Sequence, residues 1–132
     1  MLLAQLGAIN ILRNRITGNE TVALADVRQV AVALQMYHSV NNAYPDPLGL
    51  LSDAMPAYLT DSLTGGSGQN GNPNLHGYAY TYTREDNFNY TVIARPTTQG
   101  ATGVRRFFVD ETGALRYTSD GTDPTASSPL IQ

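Results

Sequence analysis

The sequence predicts an α+β fold, with a long N-terminal α-helix packed by its C-terminal half on a four-stranded antiparallel meander sheet. Three observations predict it. Residues 1–44 contain no proline. Ala23, Val27, Val30, Leu34 and Tyr37 step by four, three, four and three, which places them on one stripe of a helix. From Tyr78 onward, large and polar side chains alternate in short runs separated by turn residues, as strands do.

The helix divides into two parts. Up to Leu12 the apolar residues Leu2, Leu3, Leu6, Ile9, Ile11 and Leu12 fall all round the helical wheel, and Ile16 follows them. A helix that is apolar on every side is enclosed on every side. A helix from residue 2 to 42 runs roughly 60 Å at 1.5 Å per residue, about twice the width of a small domain. The 88 residues after Tyr44 are too few to cover that length, so the first half is expected to protrude as an oily stalk. Arg13 and Arg15 end the oily stretch, and Gly18 after them marks an expected bend or local break, because glycine costs up to about 1 kcal/mol relative to alanine inside a helix.

All seven prolines and ten of the twelve glycines lie after Tyr44, and Pro45 disfavours helical geometry at the residue before it. A boundary therefore falls there. Residues 1–44 are the expected stalk helix and 45–132 the head, in one structural domain with the second half of the helix. Within the head, 45–77 is a connector in which Leu48, Leu50, Leu51, Met55, Tyr58 and Leu59 suggest a short helix starting near Ser52. The stretch Gly65 to Asn74 has no apolar side chain and is expected to be an exposed, mobile loop.

The sheet is expected over 78–118. Tyr78, Tyr80 and Tyr82 share one face of the first strand, and a turn at Arg84 to Asn87 leads to a second in which Phe88, Tyr90, Val92 and Ala94 share a face. Runs from Arg105 to Val109 and from Ala114 to Thr118 make the third and fourth. They are joined by Asp110-Glu111-Thr112-Gly113, whose glycine suits the left-handed position of a tight hairpin. The tail, 119–132, is rich in Thr, Ser and Pro and is expected to lie extended on the surface.

Composition narrows the chemistry. The net charge of −3 comes from eleven acids against eight bases, all arginine. That balance lacks the basic footprint that binding a phosphate backbone needs, which argues against nucleic acid as the main partner. Absence of cysteine removes disulfides, thiolate catalysis and cysteine metal sites. The apolar run is shorter than the ~20 residues that cross a bilayer.

No catalytic residue is expected. His38 and His76 lack partners at triad or metal spacing, and the acid pairs Glu85-Asp86 and Asp110-Glu111 suit turns. No cofactor is expected either. Asp120 and Asp123 are a weak calcium candidate, since calcium takes about six to eight oxygens and a turn explains the pair more simply. The tyrosine row could stack sugars or bases or carry charge, but sheet packing explains it with fewer assumptions.

The segment Ala8 to Ala23, the helix exit Tyr37-His38-Ser39-Val40-Asn41-Asn42-Ala43-Tyr44-Pro45, the stretch Gly103 to Gly121 and the tail Ala126 to Leu130 together resemble bacterial type IV pilins and the related major pseudopilins of type II secretion. The resemblance implies a structural subunit of an extracellular, cell-surface filament assembled from the inner membrane, with copies of itself and the assembly machinery as partners. It implies membrane contact only before assembly, in a longer precursor. Leu2, Leu3, Leu6, Ile9, Ile11, Leu12 and Ile16 would then pack in the filament core, while Ala23, Val27, Val30, Leu34 and Tyr37 hold the head. The pseudopilin of a type II secretion system and a soluble adhesin or ligand-binding module are the alternatives. The chain departs from the family pattern at its start: the leader and the Phe-Thr-Leu-Ile-Glu type opening are missing, Gln5 does not match the assembly glutamate, and Ile9 stands where the family has a proline. Met1 is therefore expected to fall inside the family's mature helix, and a truncated form is expected over a trimmed natural form or a divergent subunit that begins at this point.

Overall fold

A computed structural model of the chain describes residues 2–53, 57–59, 61–66, 68–71 and 75–131, with the helical side chains of 2–12 and of 61 and 62 outside the description. Helix α1 spans Leu2–Asn41 without interruption. The break expected at Gly18 is not there: the residue is helical, and its cost is too small to interrupt a helix continuous on both sides. The helix ends where Asn42 takes a left-handed conformation (φ 57°) and its N–H donates to the His38 carbonyl at 2.8 Å. Asparagine tolerates that geometry better than most residues do.

Two short helices follow, α2 at Leu50–Asp53 and α3 at Asp61–Thr64, so the connector helix starts two residues earlier than expected. Met55 lies outside the described residues. Four strands, β1 (Tyr78–Asp86), β2 (Asn89–Pro96), β3 (Arg106–Asp110) and β4 (Arg116–Thr118), pair antiparallel in sequence order as the meander requires. The first hairpin is tighter than expected, because β1 continues through Asp86. Phe88 sits in that turn and is 57% exposed, so it does not join the buried face of β2.

Ala23, Val27, Val30 and Leu34 are buried against Tyr78, Tyr80 and Tyr82 of β1, Tyr90, Val92 and Ala94 of β2, and Phe107 and Val109 of β3. Tyr37, the last residue of the stripe, is half-buried at the margin, with its ring edge-on to Tyr58 at 5.7 Å. Burial obliges each row tyrosine to find a hydroxyl partner. Tyr78 donates to the Arg105 carbonyl at 2.6 Å, Tyr80 to the Asp26 carboxylate at 3.1 Å and Tyr82 to the Pro45 carbonyl at 2.6 Å. The row is inside the head under the helix and offers no open stacking surface.

Both edges of the sheet are covered. Along β1, the Tyr82 N–H donates to the Asn70 carbonyl at 3.1 Å, while the Asn70 side chain accepts from the Leu48 N–H at 3.0 Å. The described part of the Gly65 to Asn74 segment is thus bonded down, with backbone groups doing what its missing apolar side chains could not. Along β4, Tyr117 N–H donates to Pro129 and Ile131 N–H to Leu115, so the tail runs beside the strand as extra pairing. Earlier in the tail Pro124 is buried over the outer face, beside Ile93 and Phe108.

Candidate functional site

The helix leaves the head at Asn19 and Glu20. Glu20 lies on the buried stripe, where an apolar residue would be usual, and is only 8% exposed. Its Oε2 accepts from the N–H groups of Val104 and Arg105, both at 3.0 Å, and its Oε1 faces the Arg105 guanidinium at 3.1 Å. Asn19 adds a bond from Nδ2 to the Thr102 carbonyl at 2.9 Å. These contacts bind the helix to the loop between β2 and β3. Sequence reasoning passed over Glu20, although a charge interrupting an apolar stripe is a legible signal.

Just before this anchor, from residue 13 to 18, most of the helix is exposed. Arg13, Asn14, Arg15, Thr17 and Gly18 are exposed, and Ile16 is half-buried. The side chains of Leu2, Leu3, Leu6, Ile9, Ile11 and Leu12 lie outside the described residues. Neither Arg13 nor Arg15 makes an ion pair among the described residues.

The face of α1 turned away from the sheet carries exposed apolar residues: Val22, Val32, Met36 and Val40, with Val32 60% and Met36 51% exposed. Beside Val32 opens a groove of about 350 Å³, walled by Arg28, Ala31 and Gln35 of the helix and by Glu111, Thr112, Gly113 and Leu115 of the β3–β4 turn, with Tyr90 also lining it. Glu111 is exposed and unpaired with any base among the described residues.

The remaining candidates take structural positions. Asp123 bridges Arg95 (2.7 Å) and Arg106 (2.7 Å) across the outer face of β2 and β3. Hydrogen bonds from Arg95, then from Arg106, pull its pKa down to about 2. Asp120 instead accepts from Thr122 within its own turn, so the two carboxylates of the calcium candidate are drawn into separate bonding sets. Among the described residues, no group of three or more His, Asp or Glu is assembled that could hold a metal.

Asp86 accepts from the Phe88 N–H and Asp110 from the Thr112 N–H, each shaping its hairpin. His38 packs beside Tyr44 at 4.5 Å on the helix flank. His76, in the loop before β1, lies 3.7 Å from Asp26, whose carboxyl pKa is raised by burial despite the Tyr80 hydroxyl and the imidazole. Among the described residues, neither histidine is joined to a nucleophile. Among the described residues no helix is long and apolar enough to cross a membrane. Comparison with protein-family models, curated proteins and solved structures finds no match to this chain.

Proposed function

We propose that the chain is a structural subunit of a type IV pilus-like extracellular filament, assembled by packing of N-terminal helices in the fibre core. One observation carries this reading. A continuous helix of 40 residues is anchored to the head through Asn19 and Glu20, more than ten residues into its length, and Arg13, Asn14, Arg15, Thr17 and Gly18 just ahead of that anchor are exposed. The apolar residues ahead of the anchor, Leu2, Leu3, Leu6, Ile9, Ile11, Leu12 and Ile16, would release on the order of 10 to 20 kcal/mol if fully buried, an upper bound before ordering entropy is subtracted. Copies of the same molecule are the partner whose supply always matches the demand. Head-to-tail contacts whose rotation does not close into a ring yield open filaments. The localisation follows the mechanism: the heads and their loops form an outer shell at the cell surface, and the assembly machinery draws subunits from the inner membrane.

The test is made on the full chain. Leu6→Asp with Leu12→Asp places two charges on the helix ahead of the anchor at Asn19 and Glu20. The unsubstituted protein is expected to form elongated assemblies in sedimentation velocity and electron microscopy as concentration rises, and the doubly substituted protein to stay monomeric with an unchanged urea midpoint. An unsubstituted chain that remains monodisperse at high concentration overturns the proposal.

A further inference from the structure

The stripe that holds the head extends further than the head does. Leu2, Leu6, Ile9, Arg13, Ile16, Glu20, Ala23, Val27, Val30, Leu34 and Tyr37 continue one unbroken alternation of steps of four and three. Such a repeat keeps one face of a helix against a partner along its whole length. From Ala23 on, that partner is the chain's own sheet. The two charged members of the series are Arg13 and Glu20. Glu20 is met by Arg105 of its own head, while Arg13, two turns earlier, is exposed with no ion-pair partner among the described residues.

Charge is divided in the same way. Residues 1–18 carry two arginines and no acid, whereas the remainder carries six arginines against eleven acids, a net of −5. Two basic stalks repel when laid side by side at this level, and a stalk against an acidic head attracts. The head offers a matching surface. Val22, Ala25, Gln29, Val32 and Met36 also step by three and four on the free face of α1, and the groove beside Val32 presents Glu111 on its far wall.

From this geometry we infer that the groove between α1 and the β3–β4 turn receives the stalk of a second copy, with Arg13 of the incoming helix pairing with Glu111. The inference rests on the filament reading and adds the contact surface to it. Arg28 on the near wall repels the incoming arginine and turns it toward the hairpin side. The apolar neighbours of Arg13 on its stripe, Ile9 and Ile16, then lie along Val32 and Met36. The stalk needs the neighbour's acid just as the head needs its own Arg105.

Because the chain has no cysteine, each single substitution gives one unique thiol. Two chains of different mass, one carrying Arg13→Cys and the other Glu111→Cys, are mixed at assembling concentration and oxidised. Both sites are exposed and outside the core, so each variant folds. A mixed 13–111 disulfide is expected in excess over either homodimer. In parallel, Arg13→Glu is expected to raise the concentration needed for assembly roughly tenfold, and Glu111→Arg in the same chain to restore it. Assemblies that form without the 13–111 crosslink, or a crosslink from position 13 to Thr98→Cys in the exposed β2–β3 loop, at the opposite end of β3 from Glu111, overturn this inference and leave the filament reading standing. Absence of any assembly overturns both.

Discussion

Glu20 and Arg105 lock the stalk to the head: one carboxylate accepts two backbone N–H groups and faces a guanidinium, all within 3.1 Å. The Arg105 guanidinium also lies 5.2 Å from the Phe107 ring centre and 5.9 Å from that of Tyr117, so it is held from two sides. Removing the carboxylate leaves two N–H groups and a partly shielded cation without their acceptor. Glu20→Ala is expected to cost about 2 kcal/mol, less than a fully buried pair because Arg105 is partly exposed. Glu20→Gln keeps the acceptor oxygen for the backbone and is expected to cost about half that. Urea unfolding with an unchanged m-value checks both.

The two faces of the helix make opposite forecasts. Leu34 is fully buried and Val32, two residues away, is 60% exposed. Leu34→Ala is expected to destabilise the head by about 3 kcal/mol through lost burial and the cavity left behind. Val32→Ala is expected to change stability by less than about 0.5 kcal/mol, yet to weaken assembly if the groove beside it is occupied. Equal losses from the two substitutions in urea titration would mean that the buried face has been assigned wrongly.

How much of this was legible follows from the kind of signal each residue leaves. Periodicity found Ala23, Val27, Val30 and Leu34 and the tyrosine row, because burial on a regular element repeats with that element's period. It placed Phe88 inside because the alternation continues one residue past the turn, and only the hydrogen bonds of Asp86 to the turn show where the strand begins. The tail gave no period at all. Its placement rests on backbone pairing with β4 and on Asp123 meeting Arg95 and Arg106, which are distant in sequence and share no motif with it. Glu20 and Asp26 were missed because acids on a helix are usually solvated, and only the loop and strand opposite them make these two exceptions.

Asp123 makes the tail sensitive to acid. Its folded pKa is held at about 2 by the two arginines, below the ordinary value of 3.8. The folded state therefore binds its proton less readily than the unfolded chain, so the stabilisation is present above about pH 4 and is lost as pH falls toward 2. The carboxylate is nearly half exposed, and solvent screening keeps the contribution under about 1 kcal/mol. Asp123→Asn is expected to lower stability at pH 7 slightly and to flatten its dependence between pH 4 and 2, as measured by urea midpoints across that interval. An unaltered slope would show that the pair forms no linkage.

Asp26 has the opposite sign. Burial raises its pKa, so the folded state holds the proton more readily and stability falls as pH rises through the folded value. Asp26→Asn removes the poorly hydrated charge and keeps an oxygen to accept from the Tyr80 hydroxyl. The variant is expected to be more stable than the parent at pH 7, with the difference shrinking below the ordinary carboxylate range. Thermal unfolding at pH 7 and pH 3 checks the crossover, and a variant weaker than the parent at neutral pH would show that the His76 contact outweighs desolvation.

Gly18 and Gly103 look alike in sequence, each in a polar stretch, but their surroundings separate them. An added Cβ at Gly18 meets no atom within 4 Å, whereas at Gly103 it would overlap the Tyr78 ring, with Cε1 at 2.7 Å. Tyr78 is fully buried and its hydroxyl is bonded to Arg105, so the ring has nowhere to go. Gly103→Ala is expected to cost about 3 kcal/mol through overpacking, and to loosen the same loop that Glu20 grips. Gly18→Ala is expected to strengthen the helix locally by up to about 1 kcal/mol, since an exposed helical glycine forfeits that much. Its signature is slower amide exchange from residue 14 to 22 with an unchanged global unfolding midpoint, because the gain lies in the exposed stretch next to the anchor. If exchange there speeds up instead, the helix is not continuous through residue 18, and the stalk is a jointed element.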